Sequence, residues 1–448
     1  MAVNKADVGE ALPEGPYLGP ERLLAKKKEY LIPCVYHFFE RPPQMVRGAG
    51  QHLWDSEGRR YLDFFAGVSV VNCGHCHPDI VAALCAQAQT LQHTTTVYLT
   101  QPMMDLAERL AHLTPGKLQR SFFCSSGTEA NETAILLAKL ATGKSEFLSL
   151  RNGLHGRTQL TMSLTGMAFW RTDPSPVGGV TFVPNAYCYR CALGRTYPQC
   201  DVACAREVEN VVRTSTSGRV AALIAEPIQG NGGIITPPPE YFPRLKEILD
   251  RLGILFIVDE VQTGFGRTGK WFGIENWGVD PDMMTMAKAL ANGQPVGALI
   301  ATDELARHYT RPGASTLGGN PVTAATALAT LDVLERDDLP GNAARLGPYL
   351  RERLEAIAGR HRLAGDVRGI GLMQGMELVK DKTNLDKEPA PEATDAVLER
   401  MKDRGVLIGK NGLARNVLAF QPPLVITRDD VDRMVSTLDE VLTEVETL

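Results

Sequence analysis

The chain reads as an α/β protein, with a large domain on a mainly parallel sheet and a smaller α+β domain. Three observations carry this. Its 448 residues exceed one ordinary core and point to two domains or three. Short apolar runs alternate with amphipathic helical stretches through the middle of the chain, the pattern of a sheet buried on both faces. From about residue 335 onward this alternation gives way to a mixture of helices and strands. The expected division is 1–68 for an N-terminal arm and part of the small domain, 69–325 for the large domain, and 326–448 for the C-terminal small domain.

Residues 1 to about 45 are polar and Pro-interrupted, and the run Lys26-Lys27-Lys28 fits a solvated helix face. Residues 54–63 read as a hairpin turning at Glu57-Gly58. Leu106, Leu110 and Leu113 share a helical face, Ser121 to Cys124 is a short strand, and Thr128 opens the next helix, which holds Ile135 and Leu136. Strands follow at 147–150 and 220–225, then a helix with Leu245, Ile248 and Leu252, then the apolar run 254–258. Asn320-Pro321 is a helix start, with Asn as N-cap and Pro at the first helical position. The last helix is capped by Thr427-x-x-Asp430 and places Val431, Met434, Leu438 and Val441 on one side.

Composition narrows the function classes. A net charge of -5 leaves no nucleic-acid footprint. No apolar run approaches the length that spans a bilayer, and the first thirty residues lack a signal-peptide core, so the expected compartment is the cytoplasm. Nine cysteines disfavour a fully oxidised framework within one chain. Four of them cluster as Cys188-x2-Cys191, eight residues, then Cys200-x3-Cys204, compatible with a structural metal knuckle, a disulfide pair or free thiols. No catalytic metal is expected, because no catalytic His or carboxylate stands beside them.

Two residues carry the chemistry. Asp259 closes the run 254–258 and Lys288 follows the apolar run Met283-Met284-Thr285-Met286, so both are expected at neighbouring strand ends. A lysine amine and a carboxylate so placed suit pyridoxal 5'-phosphate (PLP). The amine holds the aldehyde as a Schiff base, and the carboxylate keeps the pyridine nitrogen protonated so that the ring accepts electrons. Between a strand and a helix, Cys124-Ser125-Ser126-Gly127-Thr128-Glu129 reads either as a phosphate cup or as a plain N-cap with an acidic first turn. All three segments fall at the carboxyl ends of strands, where an open α/β sheet takes its ligand. A dinucleotide enzyme is disfavoured, since no strand is followed by Gly-x-Gly-x-x-Gly.

From Gly67 to about Pro321 the chain resembles the class III, fold type I, PLP-dependent aminotransferases. The resemblance is carried by Gly74-His75-Cys76-His77-Pro78, Ser126-Gly127-Thr128-Glu129-Ala130, His155-Gly156-Arg157-Thr158, Ala225-Glu226-Pro227, Asp259-Glu260-Val261-Gln262-Thr263-Gly264, the Lys288 segment and Ser315-Thr316-Leu317-Gly318-Gly319-Asn320-Pro321. It implies that Lys288 bonds the cofactor and moves the substrate proton, and that Asp259 pairs with the pyridinium. It further implies that Gln262 donates to the ring's phenolic oxygen, that Val261 packs on one ring face, and that Ser126, Gly127 and Thr128 hold the phosphate. Thr316 is implied to reach the phosphate of the neighbouring subunit, hence a homodimer sharing its two sites, with tetramers open. His155 and Arg267 are expected as supports, His155 beside the cofactor and Arg267 in its loop.

Two positions depart from the family. Leu154 stands where relatives carry Phe or Tyr stacked on the ring, so it covers the ring without stacking. Ala419 stands where many relatives carry an arginine that grips the substrate α-carboxylate and pairs with the glutamate corresponding to Glu226. Arg415 is a candidate replacement, although its sequence context favours a surface charge. The expected donor is an amine, a diamine or an ω-amino acid, with pyruvate, glyoxylate or 2-oxoglutarate as acceptor by a ping-pong mechanism. An aminomutase, racemase or phospholyase on the same fold is the alternative.

Overall fold

The computed structural model describes residues 15–447. The first fourteen residues of the expected N-terminal arm lie outside that range. Seven strands form the main sheet: β1 (Leu118–Cys124), β2 (Glu146–Leu150), β3 (Val180–Val183), β4 (Val220–Ala225), β5 (Leu255–Asp259), β6 (Met283–Met286) and β7 (Gly297–Thr302). Their order is β1-β7-β6-β5-β4-β2-β3. β7 runs antiparallel to both its neighbours, and the pairs from β6 through β5, β4 and β2 to β3 are parallel. β4 and β6 are buried at every residue, which explains why β4 is continuously apolar and β6 is broken only by Thr285, whose hydroxyl is hydrogen-bonded, rather than alternating.

Two helix boundaries show how local chemistry sets the frame. The helix after β1 runs Gly127–Thr142 and is capped by Ser126, whose extended backbone lets its hydroxyl accept from the Glu129 N–H at 3.2 Å. The start expected at Thr128 thus moves forward, because Ser126 adopts the non-helical conformation a cap needs. The helix Pro321–Arg336 begins as the sequence indicates, with the Asn320 side chain accepting from Thr323 N–H at 3.1 Å. Helix Pro20–Tyr30 buries none of its side chains. Among the described residues no helix is long and apolar enough to cross a membrane.

Two four-stranded sheets flank the main one. Met45–Ala49, His52–Asp55 and Arg60–Asp63 form a meander, and its last strand pairs in parallel with Val406–Leu407, in register Val406↔Leu62. Ala364–Ile370, Met373–Leu378, Val417–Phe420 and Gly409–Asn411 form the other. The loop after β5 is tied to this C-terminal region by Arg267, which is fully buried. Its guanidinium donates to Leu372 O at 2.9 Å, to Pro422 O and to the Asn72 side chain. Arg267→Met would leave these buried acceptors without donors, and we expect a loss of roughly 3 kcal/mol. Urea unfolding checks this, and an unchanged midpoint would refute the assigned role.

Candidate active site

β5 and β6 pair in register, Ile257↔Met283, Val258↔Met284 and Asp259↔Thr285. This brings Asp259 to one strand end and Lys288 two residues beyond the next. Lys288 opens a 3-10 turn, Lys288–Ala291, with φ +44°. A left-handed backbone costs a non-glycine residue about 1 kcal/mol, so the surroundings must hold it. They do so through Asn292, whose side chain accepts from Cys73 N–H at 3.0 Å and donates to Gly74 O at 2.9 Å.

Asp259 is held from two sides. Oδ2 accepts from Nδ1 of His155 and Nδ2 of Asn131, both at 2.8 Å, and Oδ1 accepts from Val261 N–H at 3.1 Å. The same Asn131 amide donates to His155 O at 2.7 Å, while its carbonyl oxygen accepts from Thr285 Oγ1 at 2.7 Å. The carboxylate therefore has one orientation. His155 is buried, and its ring nitrogen Nδ1 bonds Asp259.

The surrounding electrostatics come from desolvation. Burial lowers the Lys288 amine below its ordinary value, only partly offset by Asp259 and Glu226. Burial also pushes the Glu226 carboxyl up to about 7. Its two oxygens accept from Leu154 N–H and Gly230 N–H, each at 2.9 Å. Backbone amides thus satisfy a carboxyl that sequence comparison leaves without an arginine. Ala419 is wholly buried in its strand opposite Gly375.

Asp259 and Lys288 line one cavity of about 360 Å³. Ser126, Gly127, Thr128, Leu154, His155 and Glu226 line it too, as do Val261 and Gln262. Thr316 does not join them; it is exposed on the surface. Two glycines set the approach of backbone to the cavity. A Cβ at Gly127 would stand 2.8 Å from Val261 Cγ2, and one at Gly230 would fall on Gln262 Oε1. Among the described residues, the N–H groups of Gly127 and Thr128 have no hydrogen-bond acceptor. These first-turn donors at a helix N-terminus suit an anion.

A second cavity of about 560 Å³ continues outward, sharing Leu154, Gly156, Arg157, Asn231 and Lys288 with the first. Tyr36, Phe38, Phe65 and Trp170 line it. Sequence reasoning missed Asn131, whose signal was a buried amide among Ala130, Ala134 and Ile135 on an otherwise apolar face. It also quoted Arg157 only as part of a motif. Arg415 departs from the surface charge that its context favours: it is half-buried, 5.3 to 5.9 Å from the ring centroids of Phe169, Phe38 and Tyr36.

A buried carboxylate and a desolvated lysine at adjacent parallel strand ends define a PLP enzyme of fold type I. The family model for aminotransferase class-III matches residues 40–442, and the chain belongs to that family. It is 43% identical over 427 residues, 95% of this chain and 88% of the other, to the Arabidopsis thaliana protein named alanine–glyoxylate aminotransferase 2 homolog 2, mitochondrial. It is 38% identical to the leucine/methionine racemase of Thermococcus litoralis, covering 90% of this chain and 91% of that one. A PLP-bound amine transaminase from an uncultivated Pseudomonas species superposes with a TM-score of 0.85 at 35% identity, covering 90% of this chain and 95% of that one. Class III aminotransferases work with PLP, and the residues here fit it. The cavity offers an amine, a buried carboxylate and unpartnered N–H donors for its aldehyde, ring nitrogen and phosphate.

The raised Glu226 pKa has a consequence for folding. A carboxyl that titrates near 4.5 when unfolded and about 7 when folded keeps its proton longer in the folded chain. Its contribution is therefore most favourable below pH 4.5 and declines as pH rises to about 7, by on the order of 3 kcal/mol at most. Glu226→Gln removes this decline. Urea unfolding of both proteins between pH 5 and about 7.5 should show the variant gaining on the wild type as pH rises; a constant difference would count against the assignment.

Proposed function

We propose that this aminotransferase takes its amino group from a simple amine, a diamine or an ω-amino acid and passes it to a 2-oxo acid such as pyruvate, glyoxylate or 2-oxoglutarate. The observation that carries the donor class is Ala419: a buried methyl in a strand provides no guanidinium for an α-carboxylate. The backbone amides on Glu226 support the same reading, because that carboxyl needs no arginine to satisfy it. Aromatic walls in the outer cavity suit an apolar amine body.

When bound, PLP supplies an aldehyde that takes the amine and a ring that accepts electrons from the substrate carbon. Lys288 would bond the cofactor and, once released, would carry the proton to and from that carbon, a role favoured by an amine that burial biases toward its neutral form. Asp259 keeps the ring nitrogen protonated, and His155 with Asn131 hold it in line. Gln262 would donate to the phenolic oxygen, Val261 and Leu154 would cover the ring, and Ser126, Gly127 and Thr128 would bind the phosphate.

Arg157 serves the oxo acid. It is exposed, borders both cavities, and has no acidic partner among the described residues. The exposed Thr316 and the exposed apolar run Val97, Tyr98 and Leu99 support a homodimer in which Thr316 would reach the other copy's phosphate; sedimentation velocity distinguishes such dimers from tetramers. Free thiols throughout accord with a reducing compartment, the cytoplasm in our reading, while the Arabidopsis relative is named mitochondrial.

A second reading, racemisation or another PLP reaction on this fold, draws on the Thermococcus relative. Single half-reactions separate the two. Mixing with an amine alone should convert the cofactor stoichiometrically to its amino form, and an oxo acid should restore it; a racemase returns to its starting spectrum without the oxo acid. In a donor panel, terminal amines should outrun glutamate and ornithine, and the reverse order would overturn the donor class. Lys288→Ala should abolish turnover and the lysine adduct trapped by borohydride. Arg157→Leu should raise the KM for the oxo acid about tenfold or more and leave the amine half-reaction nearly unchanged.

A further inference from the structure

The segment from Tyr187 to Cys204 lies apart from the Lys288 cavity and plays no part in the chemistry above. Its two cysteine pairs meet in space. Cys188, Cys191, Cys200 and Cys204 all line one cavity of about 20 Å³, room for roughly one water-sized sphere. None of the four is in a disulfide. Cys188 lies in the short turn Cys188–Arg190, and Cys204 in the first turn of the helix Ala203–Ser215, which packs on Tyr241–Leu252. The walls are otherwise built from side chains such as Leu193, Tyr197 and Pro238.

We propose that these four cysteines form a structural site for one thiophilic divalent cation, zinc by preference. The pattern of two close pairs supplies a tetrahedral set of sulfur ligands, and the cavity accommodates one ion. Each thiol gives its proton to solvent as the ion enters, leaving a cluster with two net negative charges. Arg195 is on the cavity wall. Among the described residues no three His, Cys, Asp or Glu side chains are already drawn together to hold an ion. Closure therefore requires rotation of the cysteine side chains toward the cavity.

The site has a mechanical purpose. Tyr187 and Arg190, which bracket Cys188, both bond the buried Glu377, and Glu377 pairs with Arg368 at 2.9 Å. Arg368 in turn donates to Gly233 O, in the loop that follows Glu226. A metal knot at 188–204 would fix one end of this chain of contacts between the main sheet and the C-terminal region.

The test loads the holoenzyme with Co2+ alone, then displaces it with Zn2+. One Co2+ per chain with intense sulfur-to-cobalt charge-transfer absorption is expected, and Zn2+ should protect four thiols from a chromogenic disulfide reagent and raise the Tm. C188S/C191S should lose all three effects, whereas C34S/C85S, altered at exposed cysteines elsewhere, should keep them. Should C188S/C191S fail to fold, the thiol count on the wild-type chain decides. Absence of stoichiometric binding, a cobalt spectrum without charge transfer, unchanged thiol reactivity with Zn2+, or recovery of the four cysteines as disulfides would each overturn the site.

Discussion

The parallel pairing of β5 with β6 is the constraint on which the site rests. Because Asp259 sits opposite Thr285, the carboxylate and the lysine turn emerge side by side from the same edge of the sheet. A slip of one residue would send Asp259 to the opposite face and bring a neighbouring apolar residue to its place. Burial of every residue in β6, and of all but the first in β5, makes that slip costly, so these strands fix the placement of Asp259 and Lys288 as well as the core. Asn131 ties the arrangement together, since it touches Asp259, the His155 backbone and Thr285 at once.

Desolvation then does opposite things to two neighbours. The Lys288 amine is pushed toward its neutral form, and the Glu226 carboxyl toward its protonated one. Both shifts lower the number of formal charges in the cavity. Asp259 is instead held by two side-chain donors and a backbone amide. One pocket thus sets a carboxyl group fixed in one orientation beside an amine and a second carboxyl that burial shifts toward their neutral forms.

Much of this was legible from residue order. Apolar runs bounded by turns marked five of the seven strands of the main sheet, Val180–Val183 and Gly297–Thr302 being the two not read, and the small residues at Ser126-Gly127-Thr128 and around Lys288 pointed to segments that do line the cavity. What the sequence hid depends on contacts between distant segments. Asn131 looked like any helical polar residue until Asp259 and Thr285 arrived beside it. Arg415 read as a surface charge because its aromatic neighbours at 36, 38 and 169 lie hundreds of residues away. The cap at Ser126 rather than Thr128 turned on a backbone conformation, which composition alone does not specify.

The pairing of Arg60–Asp63 with Val406–Leu407 reaches across nearly the whole chain. During synthesis the N-terminal meander must wait, one edge unpaired, until its distant partner leaves the ribosome. Lys288 is translated more than a hundred residues before that closure, so the cavity residues leave the ribosome while the N-terminal sheet still lacks its last strand.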